Sequence, residues 1–535
     1  MALARREFER ALQLGQAATP EFLRGIHLNL SEVYLQLGDV GRSAHHLQEA
    51  WKRLDPGQPV LSAISLQQAR LDLAREQLAE ADQTLEAALS QDPEPDWGWQ
   101  LEYQRGVLEE RRGNLRTAES AYRKAAEIVE DLRRSTPFNE LKAWLLDDKR
   151  QPFEALFLLQ AKAGDATQAL ATADRALART LLDAFLHSSS SAGGPWQTSS
   201  SLQRITGLES LVPAMSESPV AALQPIDRVL GAFGDRCGLV YFEAGSELWL
   251  VSVSGRRVRL HALAAPASEI RDLAERLLAH PEDRRIAARL GEILLPPDAL
   301  PEKGKPIFLV ADGFLGNLPF AALRSDGRYL VEDHVLLSVP SLSALAALEG
   351  SPREPSGPPL VLVDVRGDLP AAAAEGRAVG DLLRGEVQAS NKATFAELKR
   401  ASHARILHLA IHTGLDPQGP WLQLADRRVG ASEIAAGHIG PRLTVLASCA
   451  SGARSGRQMW GSLSAAFLAG GSRSVLASLW SIEDERTREF ILRFYTGGGA
   501  SEPAVALARA QRVAIAQGQS PTVWAPFVLF GSDRP

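Results

Sequence analysis

The first 186 residues carry an almost unbroken helical pattern of apolar and polar positions. Apolar residues recur at the short intervals of amphipathic helices. Ala, Leu, Arg, Glu and Gln dominate the composition, and these are strong helix formers. Gly and Pro fall between the periodic runs rather than inside them. The pattern predicts an all-helical region over residues 1–186.

Four stretches inside this region share one spacing. A turn residue is followed by a small residue five positions on, a larger or apolar residue four later, and an alanine three later. The sets are Gly38/Ser43/Leu47/Ala50, Glu76/Ala81/Leu85/Ala88, Gly113/Ala118/Tyr122/Ala125 and Gly164/Ala169/Ala173/Ala176. Small residues suit the close crossing of two helices in a hairpin, and the first residue suits the turn between them.

This spacing resembles that of the tetratricopeptide repeat (TPR), whose period is about 34 residues. Here the steps are 38, 37 and 51 residues, and Glu76 stands where glycine is usual. The resemblance implies a TPR-like solenoid over 1–186, with a concave face for a peptide or protein partner. The alternative is an Ala-rich helical domain that only mimics a repeat.

The chain changes character after residue 186. Residues 187–200 are rich in Ser and Gly and predict a linker, which we extend to residue 224. Residues 238–263 read as antiparallel strands with a turn at 244–246. Five apolar runs typical of buried strands follow, at 305–313, 359–365, 404–413, 442–450 and 473–480. The helices are predicted at 267–279, 282–295, 371–383, 394–402 and 461–470. This alternation predicts a parallel sheet flanked by helices.

Charge and cysteine content narrow the class of protein. Lys and Arg total 58 against 64 Asp and Glu, a net charge of −6, so direct nucleic-acid binding is not expected. No apolar run reaches about 18 residues and the amino end is charged, so we expect a cytoplasmic chain without membrane partners. The two cysteines, Cys237 and Cys449, form no C-x-x-C pair, which argues against a zinc knuckle or disulfide framework.

Two reactive side chains fall where predicted strands end. His412 is the last residue but one of the run 404–413, and Cys449, 37 residues later, is the last but one of the run 442–450. Sites in such sheets form at the carboxyl ends of strands. A histidine beside a cysteine is the minimum for a thiolate nucleophile. From spacing alone, an inert buried cysteine and a structural histidine remain the commoner alternatives.

The surrounding motifs resemble those of a known family. ILHLAIHTG (406–414) and VLASCASG (445–452) are similar to the two catalytic motifs of the CHAT family. CHAT peptidases are cysteine peptidases related to caspases and separases, and they often follow TPR arrays. The likeness spans about residues 225–535, and further matching segments lie at 173–185, 312–341, 469–487, 494–498 and 524–531.

Carried over by position, the resemblance implies Cys449 as nucleophile and His412 as general acid/base. The oxyanion donors would be the backbone N–H of Cys449 and that of Thr413 or Gly414. The family usually has glycine directly after the histidine, where this chain has Thr413. It also has Glu-Thr after the nucleophile, where this chain has Ala450 and Ser451. This chemistry needs no cofactor.

The remaining polar candidates have competing interpretations. Asp484 is either part of a substrate pocket for a basic residue or the third residue of a capping box whose N-cap is Ser481, the simpler interpretation. Trp480 and Asp416 are further pocket candidates.

His408 shares a predicted strand face with His412, but no third ligand lies at metal-site spacing, so we expect a packed histidine and no metal. We read Cys237 as structural.

The sequence therefore predicts a TPR-like helical array (1–186), a linker (187–224), a catalytically silent half-domain (225–355) and a caspase-like catalytic half (356–535). By resemblance, it is a cysteine endopeptidase of bacterial signalling or defence that cleaves particular protein substrates. The array would dock the substrate or a protein activator. One rival is a non-enzymatic TPR scaffold with a degenerate caspase-like domain. The other is a hydrolase using Ser448, for which no base is evident.

Overall fold

The computed structural model describes residues 1–15, 19–54, 61–135, 148–177, 224–350, 355–416, 419–447, 451–452 and 462–534. These residues form two compact units, the first containing Met1–Ser135 and Lys149–Leu159 and the second containing Gln160–Pro535. The predicted linker lies outside the described residues except for residue 224. The four domain boundaries drawn from the sequence stay predictions.

The amino-terminal region is helical, as its pattern predicts. Its helices are α1 (Ala2–Leu14), α2 (Pro20–Gln36), α3 (Val40–Trp51), α4 (Ser62–Ala74), α5 (Leu78–Leu89), α6 (Pro95–Arg111), α7 (Leu115–Ser135), α8 (Gln151–Lys162) and α9 (Ala166–Ala176). The three non-turn positions of all four repeated sets are buried. At the α6–α7 crossing a Cβ on Gly106 would meet the Tyr122 ring at 2.4 Å, so the two helices approach closely there.

The four turn residues of the repeated pattern adopt one backbone conformation. Gly38, Glu76, Gly113 and Gly164 have φ values of 79°, 58°, 79° and 76°. After each of them, the next N–H donates to a carbonyl five residues back, as Asp39 does to Tyr34 at 2.8 Å. This is the Schellman end of a helix, which favours glycine in the left-handed position. Glu76 takes the same turn at a steric cost that glycine avoids.

One mixed sheet forms the centre of the second unit. Its strands are β1 (Cys237–Ala244), β2 (Glu247–Ser254), β3 (Arg257–Ala262), β4 (Pro306–Ala311), β7 (Val335–Ser338), β8 (Leu360–Val363), β9 (Glu386–Ala389), β10 (Ile406–Ala410), β14 (Leu443–Leu446), β15 (Ser474–Ser478) and β16 (Phe527–Gly531). Their order is β3-β2-β1-β4-β7-β16-β15-β14-β10-β8-β9. The antiparallel β1–β3 segment and the five later strands confirm the sequence prediction.

The expectation of a parallel sheet holds on each side of the antiparallel β15–β16 pair, apart from the antiparallel β1–β3 segment. Strands β8, β9, β10, β14 and β15 run parallel to one another. The last strand, β16, pairs antiparallel with β15 and parallel with β7, so the two halves run in opposite directions. The carboxyl ends of β8, β10, β14 and β15 therefore lie together at one edge, which is where a site is expected.

Helices cover this sheet. They are α10 (Ile226–Phe233), α11 (Ala267–Ala279), α12 (Arg284–Leu294), α13 (Leu330–Asp333), α14 (Leu342–Glu349), α15 (Pro370–Leu383), α16 (Phe395–Arg400), α17 (Ala431–Ala436), α18 (Leu463–Ala469), α19 (Asp484–Thr496), α20 (Pro503–Ala516) and α21 (Pro521–Trp524). The strands of the two halves contribute to separate apolar cores, one built around β8, β10 and α18 and the other around β1, β4 and α12. Two further pieces are the hairpin β5 (Arg324–Ser325) and β6 (Arg328–Tyr329), and the small sheet β11 (Thr413–Asp416), β12 (Gly419–Gln423) and β13 (Arg428–Gly430).

The last helix of the array packs within the second unit through a buried carboxylate. Asp174 of α9 accepts hydrogen bonds from the N–H groups of Leu342 and Ser343 at 2.8 and 3.2 Å, and from the Ser343 hydroxyl. Unpaired N–H groups and the helix dipole make the start of α14 a favourable place for an anion. Asp174 thereby fixes α9 to the α/β part of the chain.

We predict that Glu76→Gly stabilises the α4–α5 hairpin by about 1 kcal/mol, because glycine adopts the left-handed turn without steric cost. The lost ion pair with Arg111 is exposed and contributes little. Hydrogen exchange of α4 and α5 in the full chain measures the change. The matched control is Glu86→Gly inside α5, which should lower stability by about 1 kcal/mol. Faster exchange in Glu76→Gly would contradict the prediction.

Candidate active site

Two neighbouring parallel strands bring the candidate segments to one edge of the sheet. β10 pairs with β14 in a register that sets Leu409 opposite Leu446. Beyond the strand ends, the Ala447 N–H still donates to the Leu409 carbonyl at 2.9 Å. β10 ends at Ala410, earlier than the predicted 413, so His412 follows the strand rather than lying in it. β8 flanks β10 on its other side, with Val363 opposite Ala410.

His412 is held by a carboxylate from the neighbouring loop. Its Nε2 lies 2.9 Å from Oδ1 of Asp368, and about a third of its side chain is exposed. The hydrogen bond from His412 lowers the pKa of Asp368 below its ordinary value of 3.8. An ionised carboxylate only accepts hydrogen bonds, so Nε2 carries the proton in this pair. Nδ1 of the neutral ring is then an acceptor, available to take a proton from a thiol.

The loop that carries Asp368 is itself anchored. The Asp364 N–H donates to the Ala410 carbonyl at 3.1 Å, which ties the end of β8 to the end of β10. The Asp364 carboxylate then accepts the Leu369 N–H at 2.8 Å, so the loop closes on itself. Gly367, with φ of 75°, makes the turn inside it. The loop therefore holds Asp368 in a fixed position beside His412.

The chain after His412 forms the small sheet β11-β12-β13. The Gln423 N–H donates to the His412 carbonyl at 2.9 Å. Thr413 and Gly414 lie in β11, opposite Leu422 and Trp421. A Cβ on Gly414 would meet the Trp421 indole at 2.2 Å, so only glycine fits there. The His412 segment was predicted as the end of a strand, and the sequence did not indicate this small sheet.

Cys449 lies outside the described residues, as do Ser448 and Ala450. The residues that flank them are well anchored. The Gly452 N–H donates to the Ser478 carbonyl at 2.8 Å, at the end of β15. The Ser451 hydroxyl donates to the Leu446 carbonyl at 3.3 Å and accepts from the Ser478 N–H at 3.4 Å. Ala447, Ser451 and Gly452, on either side of these residues, are therefore fixed by hydrogen bonds to the neighbouring strands.

The lower-ranked pocket candidates are dispersed over this edge. Asp416 ends β11, opposite Gly419. Trp480 follows β15, and its indole N–H donates to the Thr522 carbonyl at 3.1 Å. Asp484 is the first residue of α19, and its side chain lies outside the described residues. The predicted capping box is wrong, because the helix begins three residues after Ser481 and its N-cap is Glu483, without a side-chain cap.

His408 is separate from this edge. It is fully buried, with Nε2 2.9 Å from the Glu375 carboxylate and Nδ1 3.3 Å from the Tyr495 hydroxyl. It packs among neighbours on α15 and α19, whereas His412 lies beyond the strand and contacts Asp368. The packed-histidine interpretation is therefore confirmed. No three His, Cys, Asp or Glu side chains within the described ranges are arranged to hold a metal ion.

Asp368 is the residue that the sequence analysis missed. A signal for it exists, since it follows the predicted strand 359–365 by three residues and His412 lies where the run 404–413 ends. Using that signal requires knowing that β8 and β10 are neighbours, which strand order in the sequence does not reveal. Cys237 agrees with its structural interpretation, because it is buried and burial raises its thiol pKa to about 11.

Comparisons with known proteins agree with this architecture. Residues 284–532 match the family model described as CHAT domain. Two crystal structures of the separase–securin complex of Saccharomyces cerevisiae, at 3.0 and 2.6 Å resolution, match with TM-scores of 0.51 and 0.50. Both matches have 11% sequence identity and cover 98% of this chain and 48% of that chain.

At this identity the likeness concerns the fold alone, and the present chain corresponds to about half of the separase chains, 48%. A search of curated proteins found no significant match. No helix in the described part of the chain is long and apolar enough to span a membrane. Residues 284–532 therefore match the CHAT domain family, the fold is similar to that of separase, and the helical region before these residues fits a TPR-like array.

Proposed function

We propose that this chain is a cysteine endopeptidase in which Cys449 attacks the peptide carbonyl and His412 acts as general acid and base. The observation that carries the proposal is the parallel pairing of β10 with β14, which sets Leu409 opposite Leu446. Cys449 and His412 each follow these paired residues by three positions. Because both residues lie the same number of positions beyond adjacent parallel strands, we expect their side chains to meet at the same edge of the sheet.

Asp368 supports the assignment of His412 as the acid/base. A catalytic imidazole needs a third group that sets its ring orientation and its tautomer. The hydrogen bond from Nε2 to the Asp368 carboxylate does both, and it keeps Nδ1 for the exchange of a proton with the thiol. We therefore assign Asp368 as a positioning residue for His412.

The pairing of β11 with β12 favours Thr413 over Gly414 as the second oxyanion donor. In antiparallel pairs, hydrogen-bonded and non-hydrogen-bonded residues alternate. His412 and Gln423 are joined by a hydrogen bond, so the next such pair is Gly414 with Trp421. The Gly414 N–H is then directed at Trp421, and the Thr413 N–H is directed to the other side of β11. The position of Thr413 directly after His412 suits an oxyanion donor.

The reaction follows from these roles. The Cys449 thiol gives its proton to His412, and the sulfur bonds to the substrate carbonyl carbon. Backbone N–H groups of Cys449 and Thr413 stabilise the oxyanion that forms. The C–N bond then breaks as His412 protonates the leaving amine, leaving an acyl-enzyme. Water, deprotonated by His412, attacks this thioester, and the carboxylic acid leaves as the thiol reforms.

We further propose that the helical array over residues 1–186 docks the protein substrate or an activating protein. The support is the row of similar helical hairpins, since stacked hairpins of this kind form extended concave surfaces that hold peptides. Action in bacterial signalling or defence rests on the family resemblance alone and stays a prediction.

The dyad predicts the loss of cleavage in two variants. Mapping of new amino termini in cells that express the full chain should give products that vanish in Cys449→Ala. In His412→Ala their rate of formation should fall by about 10²- to 10⁴-fold, the usual contribution of a general acid/base. The matched control is Cys237→Ala, which removes an unreactive buried thiol and should leave the products in place. Identical products from Cys449→Ala would contradict the dyad.

The role of Asp368 predicts a change in kcat rather than in KM. Asp368→Asn should lower kcat by about 10- to 100-fold with KM nearly unchanged, because the amide no longer fixes the tautomer of His412. Asp368→Glu should restore part of the loss. The pKa of Asp368 in the folded chain lies below 3.8. Its carboxylate therefore stays ionised above that pH, and its negative charge is lost only as the pH falls further. A loss confined to KM would contradict the positioning role.

The docking role of the array is testable in the full chain. Cys449→Ala should trap its protein target, and cross-linking mass spectrometry should place the target against residues 1–186. Using the inactive full chain retains α9, whose Asp174 caps α14. Cross-links confined to residues 225–535 would contradict docking on the array.

A further inference from the structure

Two arginines beside His412 converge on one neutral oxygen. Nη2 of Arg366, in the loop after β8, lies 3.2 Å from Oε1 of Gln423. Nε of Arg428, on β13, lies 3.4 Å from the same Oε1. Gln423 is the residue of β12 that lies opposite Arg428. Two guanidinium groups from separate elements therefore meet at a single amide.

This arrangement leaves both guanidinium groups without an ion-pair partner, although Arg366 feels the charge of Asp368 at longer range. Across the described ranges, neither Arg366 nor Arg428 has a carboxylate within ion-pairing distance. Arg427, the neighbour of Arg428, shows the ordinary outcome, because it pairs with Glu433 and stacks on Phe395. Like charges that share one acceptor repel each other, and an anion placed between them would remove that repulsion.

The pair lies directly beside the candidate reaction centre. The main-chain N–H of Gln423 donates to the His412 carbonyl at 2.9 Å. The His412 hydrogen bond is the largest cause of the lowered Asp368 pKa, and the positive charge of Arg366 also contributes. A substrate held at His412 would therefore place its nearby side chains within the field of both guanidinium groups.

The structure holds these arginines in place before any ligand binds. The Arg428 guanidinium stacks on the Trp421 indole, 4.1 Å from its centroid. That indole in turn covers Gly414, which has no side chain to displace it. Arg366 is carried by the loop that Asp364 closes. Fixed guanidinium groups lose little freedom when they bind a carboxylate, and their forked geometry suits it.

We propose that Arg366 and Arg428, with the amide of Gln423, form a subsite for an acidic side chain of the substrate close to the scissile bond. This inference rests on the proposed peptidase function and adds its preferred substrate class, peptides carrying Asp or Glu. It is opposite in charge to the pocket for a basic residue that Asp484 suggested in the sequence. Neutral side chains of the same shape would leave the two guanidinium groups without an ion-pair partner.

The test uses thiol-directed peptide electrophiles on the full chain. Asp, Asn or Lys is placed in turn at each of four positions before the electrophilic carbon, and mass spectrometry follows modification of Cys449. At one position we expect Asp to react about ten- to hundredfold faster than Asn, as for hydrogen bonds to a charged group. Added salt should reduce this ratio, because it screens exposed charges.

Variants then assign the preference to the two arginines. Arg366→Gln and Arg428→Gln should each lower the Asp/Asn rate ratio, and the double variant should bring it close to one. Arg428→Glu should turn the preference towards Lys. The matched control, Arg427→Gln, removes an arginine that Glu433 already neutralises and should retain the native ratio. Because each ratio is taken within one variant, a general loss of folded protein cannot imitate the effect.

The outcomes separate this inference from the function on which it rests. Modification that requires Cys449 but shows no acidic preference at any position overturns the subsite and leaves the peptidase proposal standing. An acidic preference that survives in the double variant also overturns the subsite. If no peptide modifies Cys449, the peptidase proposal fails and the subsite falls with it.

Discussion

The parallel pairing of β10 with β14 is the constraint on which the account depends. Adjacent parallel strands end at the same edge of the sheet, so residues far apart in sequence come together there. The neighbours of this pair add the rest of the site. β8 brings the loop with Arg366 and Asp368, and β15 fixes the chain after Cys449 through Ser478. A shift in the register of the paired strands in this half of the sheet would therefore separate these groups.

Much of the fold could be predicted because its signals are local. Continuous apolar runs mark strands buried on both faces, and the repeated spacing marks four Schellman turns whose left-handed residue is usually glycine. Strand direction could not be predicted in the same way. β16 lies between β7 and β15, and nothing in its own sequence tells whether it runs parallel or antiparallel to them.

The residues of the candidate site differ in the same way in how far the sequence predicts their positions. His412 and the segment of Cys449 could be placed at strand ends, because each follows its own apolar run. Asp368, Arg366 and Arg428 could not, since their positions depend on which strands are neighbours and on a small sheet with weak local signals. The capping box at Ser481 failed for a related reason, because several polar residues before α19 suit an N-cap and only the packed helix selects Glu483. The charged residues near the site come together only in the tertiary structure, whereas the proposed reacting groups can be recognised in the sequence.

The most direct test of the central claim is a measurement of proximity between positions 412 and 449. A disulfide forms only when the two Cα atoms lie within about 7 Å. The account predicts that His412→Cys in the full chain yields a 412–449 disulfide on mild oxidation, detected in a non-reducing digest, whereas Asp416→Cys on β11 does not. Thiols at 412 and 449 that stay reduced in the folded chain, yet join after unfolding, would contradict it.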